Sequence, residues 1–211
     1  MTKREERKVI VDKIVEFAHD YSEHLLGNTF MFVFDNRYIE VSFRKSDFAH
    51  LTGVDKRLSA NDFYKEAKRG TLRENQIWFS SRHPYDLCLR KVVHMEDLAR
   101  AFYSDGIVLE DVGTDTAVYK FGFTELNFTL CFGEDLDQDG NKRSAYFIPK
   151  SLRSGDCFER SDKVYEIDFI FRKKNNQRIY NEMLFQGNQE IESIPYVIRE
   201  ILDESLNIVE K

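Results

Sequence analysis

The sequence predicts an α+β domain in which helices pack on a twisted antiparallel sheet. A long segment near the N-terminus repeats apolar residues at three- and four-residue steps, which is the helical period. Short runs rich in aromatic and β-branched residues place an apolar residue at every second position, as strands do. No Gly/Ser/Pro-rich linker and no repeat divides the 211 residues, so we expect one domain over residues 1–211.

The first half of the chain is predicted to be mainly helical, with one hairpin. Residues 4–26 form a helix with an apolar stripe, and a Gly-Asn pair ends it. Residues 30–43 form the hairpin, because apolar residues alternate on both sides of a polar turn. A short helix is expected at 61–69, a brief strand at 76–80, and a mostly helical segment at 84–104.

The second half is predicted to be rich in strands. The composition of six segments is typical of strands: 107–112, 118–123, 127–132, 145–148, 164–172 and 178–185. A closing helix is expected over residues 190–209, with Ile194, Ile198 and Ile201 on its apolar face and Pro195 in its first turn. Together with the first helix, it would pack on one sheet.

Composition and charge exclude several classes of protein. Hydrophobic residues make up 42% of the chain and charged residues 32%, which is typical of a folded domain. The net charge of −6 argues against broad, non-specific binding to nucleic acid, although it allows a compact basic cleft. No apolar run approaches the roughly 20 residues that span a bilayer. The three widely spaced cysteines favour a reduced, cytoplasmic protein without membrane contact.

Metal and cofactor motifs are incomplete or missing in the sequence. Asp135, Asp137, Asp139 and Gly140 match the first half of a calcium loop, but Tyr146 stands where such a loop ends in Glu. A polar turn is the simpler interpretation. No His/Cys set has zinc spacing, and neither a GxxxxGK nor a GxGxxG loop is present. We therefore expect no metal and no cofactor.

The first candidate for chemistry is His50. It follows the predicted hairpin and precedes Thr52 and Gly53, so an imidazole, a hydroxyl and a sharp turn meet at one strand-to-loop junction. An imidazole is the usual general acid or base near neutral pH. The alternative is a structural histidine that hydrogen-bonds the turn.

A second cluster lies at the end of a later strand. It groups Tyr146, Lys150, Ser151 and Arg153, and its two cations suit phosphate. Pro149 is expected to break the sheet and lift Lys150 and Ser151 out of it. The alternative is an ordinary basic loop.

Metal-free RNA cleavage needs a base for the ribose 2′-hydroxyl, an acid for the leaving 5′-oxygen, and cations for the charged phosphorane. His50 suits the base or the acid, and Lys150 and Arg153 suit the phosphate. The candidate catalytic residues are therefore His50, Lys150, Ser151 and Arg153, and the candidate substrate contacts are Thr52 and Tyr146. These roles require the two clusters to meet in space.

The residues around His50 resemble a known family. The hairpin Phe32–Phe34 and Tyr38–Phe43, the segment Phe48–Gly53 and the later 146–151 are similar to a phage- and prophage-associated domain family grouped with the barnase–EndoU–colicin–RelE (BECR) nuclease superfamily. The resemblance implies a compact fold with N-terminal helices and a curved antiparallel sheet. It also implies metal-independent RNA cleavage in a toxin or in phage–host conflict. The resemblance also implies that His50 and, more weakly, Lys150 and Ser151 are active-site residues.

For a nuclease of this kind we expect RNA as the substrate, with transfer RNA as one candidate, and an antitoxin or a host protein as a protein partner. A competing hypothesis is a catalytically inert phage or prophage protein that binds and inhibits a host protein. A nucleotide- or NAD-binding transferase has less support, because no cofactor motif is present. A nuclease requires His50, Lys150 and Arg153 to converge in a polar concave site, whereas an inhibitor predicts an exposed apolar patch elsewhere.

Overall fold

The structure is a computed structural model that describes residues 2–115 and 117–208. Its first helix, α1 (Lys3–Asp20), continues as a π-helical turn over Tyr21–Leu25, which agrees with the predicted helix over 4–26. Thr2 and Glu5 start it as a capping box, each side chain bonding the other's backbone N–H. The buried stripe that sequence periodicity indicated packs into the core.

Five further helices are short. They are α2 (Phe48–Thr52), α3 (Ala60–Lys68), α4 (Tyr85–Val93), α5 (Met95–Arg100) and α6 (Tyr196–Arg199). The strands are β1 (Asn28–Phe34), β2 (Arg37–Ser42), β3 (Asp55–Lys56), β4 (Ile77–Trp78), β5 (Ile107–Gly113), β6 (Val118–Thr124), β7 (Phe128–Leu136), β8 (Lys142–Ser154), β9 (Lys163–Glu166), β10 (Phe169–Lys174), β11 (Tyr180–Gln186) and β12 (Leu202–Ile208). Across the two described ranges, no helix combines the length and the apolar character that a membrane crossing needs.

The main sheet has the strand order β12-β11-β10-β1-β2-β8-β7-β6-β5-β9. Its neighbours are antiparallel except for two parallel pairs, β2 with β8 and β11 with β12. Asp35 and Asn36 form the β1–β2 turn with positive φ angles of 48° and 57°, the conformation that two-residue hairpins favour. The α+β class with a large twisted sheet and an N-terminal helix is therefore confirmed, although the sheet is not wholly antiparallel.

The predicted strand over 164–172 is divided between two places in the sheet. Glu166 of β9 pairs with Ile107, whereas Phe169 of β10 pairs with Val33. Only two residues separate β9, at one edge, from β10, which lies next to β1 near the other. The sheet must therefore curve strongly, and short-range alternation does not reveal such a change of partner.

The curved sheet encloses an aromatic core. Phe30 and Phe32 of β1 point into it, and Phe102, in the turn after α5, has its ring centroid 4.8 Å and 5.1 Å from theirs. The ring of Phe123 from β6 lies 5.0 Å from that of Phe102. Rings at these separations interdigitate in edge-to-face and tilted pairs, which fixes the helices over the sheet.

The predicted C-terminal helix over 190–209 is wrong in extent. The segment forms a 3-10 turn at Ile191–Ser193, the four-residue helix α6 and then strand β12; residue 209 lies outside the described residues. Leu202 and Leu206 pack beside the buried Ile194 and Ile198 on the outer face of the sheet. Backbone pairing with the free edge of β11 outweighs the helical pattern, because it satisfies peptide groups along a whole strand.

The prediction that Pro149 breaks the sheet is also wrong. Strand β8 runs through it to Ser154. Phe132 pairs with Pro149 and Cys131 with Ser151, so Lys150 is an extra residue in the ladder. A β-bulge of this kind tolerates proline and redirects the side chain at the bulge.

Candidate active site

Helix α2 carries His50 to a junction with β8 and α4, both of which it contacts. The other four residues of this helix are buried, so His50 is its exposed side chain. Gly53 ends the helix in the left-handed conformation, with φ of 72°. The chain thus presents one imidazole at the surface of an otherwise buried turn.

The surroundings of His50 favour the neutral imidazole. Partial burial of the ring lowers its pKa below 6.5, and the positive charges of Lys150, Lys56 and Lys91 lower it further, while Asp47 opposes them. Helix α2, which carries His50, packs on β8, which carries Lys150, so the two clusters predicted from sequence lie on adjoining elements. At pH 7 the imidazole is therefore available to accept a proton.

Lys91 of α4 is the member of this group that the sequence did not reveal. Its side chain is 9% exposed, and its Nζ donates a hydrogen bond of 3.4 Å to Ser151 Oγ. Burial lowers the pKa of Lys91 from 10.5 to about 8, and the nearby charge of Arg153 adds to this effect. The sequence places Lys91 next to the apolar stripe of α4, a position from which a lysine normally extends its amine into solvent, so its burial was not expected.

Ser151 and Arg153 of β8 lie beside this buried amine, and Lys150 lies on the same strand. Ser151 is 4% exposed, and Arg153 follows it by two positions, on the same face of β8. Within the described ranges, Arg153 Nε is buried without a hydrogen-bond partner. The Lys150 stem lies across Gly133, where an added Cβ would come within 3.0 Å of Lys150 Cγ.

Thr52 and Tyr146 take other positions. The buried Thr52 Oγ1 donates to the Ala49 carbonyl at 2.9 Å, so it holds the α2 turn. Tyr146 lies beside Lys173, whose Nζ is 5.9 Å from its ring centroid, and burial and Glu40 raise its pKa. The structure thus places Ser151 and Arg153 beside Lys91, with His50 on the adjoining helix α2, while Tyr146 contacts Lys173.

The cations at this junction are not neutralised by acids. In the described part of the chain, Lys56, Lys91, Lys150 and Arg153 form no ion pair within 4.0 Å. The acids on the neighbouring segments, Asp47 and Asp135, are held by Arg44 at 3.2 Å and 2.8 Å. A local positive site therefore stands in a chain whose net charge is −6.

The candidate calcium loop is used for protein contacts. Both oxygens of Asp135 accept hydrogen bonds from Arg44, and Ser144 donates to it as well. Asp137 accepts the backbone N–H groups of Asp139 and Asn141. These bonds form the polar turn that the sequence predicted. Among residues 2–115 and 117–208, no set of three or more His, Cys, Asp or Glu side chains is placed to hold a metal ion.

Gly53 is expected to be needed for the position of Lys91. A Cβ added at Gly53 would lie 2.7 Å from Lys91 Cδ, and the φ of 72° already disfavours a side chain. Gly70 has nearly the same φ of 70°, with nothing within 4 Å, so it is the matched control. Gly53→Ala should cost about 2–3 kcal/mol of unfolding free energy and Gly70→Ala about 1 kcal/mol, by urea denaturation. If both variants lost the same unfolding free energy, the Lys91 side chain would move away from the added Cβ at no cost, and Gly53 would not be needed to position it.

The histidine on α2 and the cations of α4 and β8 combine an acid–base group with positive charge, a set of groups suited to chemistry at a phosphate. The family model described as phage-Barnase-EndoU-ColicinE5/D-RelE like nuclease4 (PBECR4) matches residues 13–189. The protein therefore belongs to this family, and the resemblance noted from the hairpin and His50 segments is confirmed. Neither the curated proteins nor the solved structures gave a match.

Proposed function

We propose that this protein is a metal-independent endoribonuclease that acts in the cytoplasm as a toxin or in phage–host conflict. One observation carries the proposal. Three lysines (Lys56, Lys91 and Lys150) that form no ion pair in the described part of the chain act on a histidine whose pKa favours the neutral form, and Arg153 adjoins Lys91, in an acidic chain of a nuclease family. Fixed cations in a partly desolvated site stabilise a phosphorane more than they stabilise the ground-state diester.

The proposed reaction divides proton transfer between two groups. His50 accepts the proton of the ribose 2′-hydroxyl, whose oxygen attacks the adjacent phosphorus. The bond from phosphorus to the 5′-oxygen breaks, and Lys91, still protonated below its pKa of about 8, donates the proton to that leaving oxygen. The products are a 2′,3′-cyclic phosphate and a 5′-hydroxyl. Lys150 and Arg153 hold the non-bridging oxygens, and Ser151 orients the Lys91 amine.

The rate of cleavage is expected to follow a bell-shaped pH profile. It should rise as His50 loses its proton below pH 6.5 and fall as Lys91 loses its proton near pH 8. Single-turnover rates between pH 5 and 10 measure both limbs. Lys91→Gln should remove the upper limb along with most of the activity. An upper limb that persists in Lys91→Gln would assign the acid to another group.

The activity itself is tested by adding purified protein to total RNA, a transfer-RNA pool, and DNA of matched sequence, all in EDTA. RNA should be cleaved and DNA should not, because only RNA carries the attacking 2′-hydroxyl. As a toxin, the wild type should slow the growth of an expressing host, and an antitoxin should relieve it.

A folded protein that leaves RNA intact would instead favour an inert phage or prophage protein that binds a host protein. The observation behind that alternative is the apolar surface on α6, where Tyr196 is 74% and Val197 61% exposed. An exposed apolar pair of this kind suits a protein contact.

A further inference from the structure

A cleft of about 700 Å³ opens beside the candidate active site. Its walls are α4, the end of β8, and the 3-10 turn Phe158–Arg160. Lys91 and Arg153 line it, so the cleft shares two side chains with the group around Ser151. Clefts of about 300–1,000 Å³ hold organic molecules as large as a nucleotide. A polymer bound at the active site would therefore extend directly into this space.

The charges in the cleft favour an anion. Its lining carries four cations and two anions: Arg90, Lys91, Arg153 and Arg160, against Asp156 and Glu159. One of the anions is engaged, since Asp156 Oδ1 accepts a 3.1 Å hydrogen bond from the Phe158 backbone N–H. The lining therefore has a net charge of +2, which favours a phosphodiester.

The cleft arginines are free to bind such an anion. Arg160 contacts Asp115 at 3.5 Å, but both side chains are more than half exposed, and a pair of this kind contributes little stability. Within residues 2–115 and 117–208, Arg90 and Arg153 form no ion pair. The buried Arg153 Nε also has no hydrogen-bond partner in those ranges. Buried donors of charged groups are normally satisfied, so this N–H can donate to an acceptor that enters the cleft.

We infer that this cleft binds the sugar–phosphate chain of a single-stranded RNA next to the scissile phosphate, with Arg90 and Arg160 on a second phosphate. The inference rests on the proposed function, because it extends that same site along the substrate. Phe158 and Leu87 add apolar surface for an unpaired base. A duplex presents its bases already stacked, whereas single strands let bases turn into a pocket.

The test measures binding without cleavage. The probes are a fluorescein-labelled 2′-O-methyl RNA strand of about six nucleotides and the same strand paired in a duplex; the blocked 2′-oxygen cannot attack phosphorus. Fluorescence anisotropy compares wild type with the double variant Arg90→Gln/Arg160→Gln. The matched control is Arg69→Gln/Arg143→Gln, which removes the same charge from exposed positions outside the cleft.

The single strand should bind wild type and the control equally, and the cleft variant on the order of tenfold more weakly. The slope of log affinity against log salt should fall by about 0.7 for each phosphate that the variant no longer binds. Equal affinity of the cleft and control variants would overturn the inference. Equal binding of a duplex would overturn its single-strand part. Because the strands cannot be cleaved, a wild type that binds them through these arginines but cuts no RNA would refute only the proposed function.

Discussion

Substituting His50 with alanine is expected to lower the rate of RNA cleavage by about 10²- to 10⁴-fold, the usual contribution of a general acid or base. The imidazole is the group at this junction whose pKa lies below 6.5, so it is neutral when the neighbouring amines are charged. Since the side chain is exposed, its removal should leave the unfolding free energy within about 0.5 kcal/mol of wild type. Single-turnover rates and urea denaturation give the two quantities.

His19 provides the matched control for His50. It is exposed on α1, and its Nδ1 lies 3.2 Å from Lys68 Nζ. His19→Ala should keep the wild-type rate. Equal activity of both alanine variants would remove His50 from the mechanism and leave it as a residue of the α2 turn.

Substituting Lys91 with methionine is expected to change stability and activity in opposite directions. A lysine whose pKa falls from 10.5 to about 8 on folding costs roughly 3 kcal/mol when it is charged, at about 1.36 kcal/mol per pH unit. Loss of the hydrogen bond to Ser151 lowers the unfolding free energy by about 1 kcal/mol and so offsets part of this gain. Lys91→Met should thus raise the unfolding free energy at pH 7 by about 2 kcal/mol, while cleavage falls about 10²-fold or more.

The stability that Lys91→Met gains should depend on pH, because the pKa of Lys91 differs between the folded and the unfolded chain. Between about pH 8 and 10.5 the unfolded chain holds a proton at Lys91 that the folded protein has released, so wild-type stability rises with pH across that window. The advantage of Lys91→Met should therefore be complete below pH 8 and shrink towards pH 10.5. Urea denaturation at pH 7 and pH 10 measures it.

Lys173 is the matched control for Lys91, because it is also buried but is paired. Its Nζ lies 3.2 Å from Glu40 Oε1. Lys173→Met should lower stability by about 3 kcal/mol, since Glu40 would lose its cation, and should leave the rate of cleavage unchanged. If Lys91→Met destabilised the protein as much as Lys173→Met does, the Lys91 charge would be structural.

Local sequence patterns predict the structure correctly where it is determined within a single helix or hairpin. The β1–β2 hairpin and α1 follow from alternation and helical period, and the residue types of the His50 and Lys150 segments single them out, although His50 lies on α2 and Lys150 inside β8. Lys91 could not be found this way, because its burial depends on α4 crossing Gly53 and Ser151. Tyr146 lies beside Lys173 instead, because it precedes Ser151 by five residues on β8, roughly 15 Å along an extended strand.

Two errors in the fold have a similar origin. The segment over 202–208 becomes a strand because the edge of β11 is available, and the stretch over 164–172 divides because the sheet curves back on itself. Both depend on partners distant in sequence, which periodicity in a short window does not contain.

The most direct measurement of the central claim uses a DNA strand that contains a single ribonucleotide, incubated with wild type and His50→Ala in EDTA. The proposed mechanism predicts one cut, immediately 3′ of the ribonucleotide, with a 2′,3′-cyclic phosphate on one product, a 5′-hydroxyl on the other, and almost no product from His50→Ala. An intact strand, or cuts at deoxyribonucleotides, would contradict cleavage through the 2′-hydroxyl by this site.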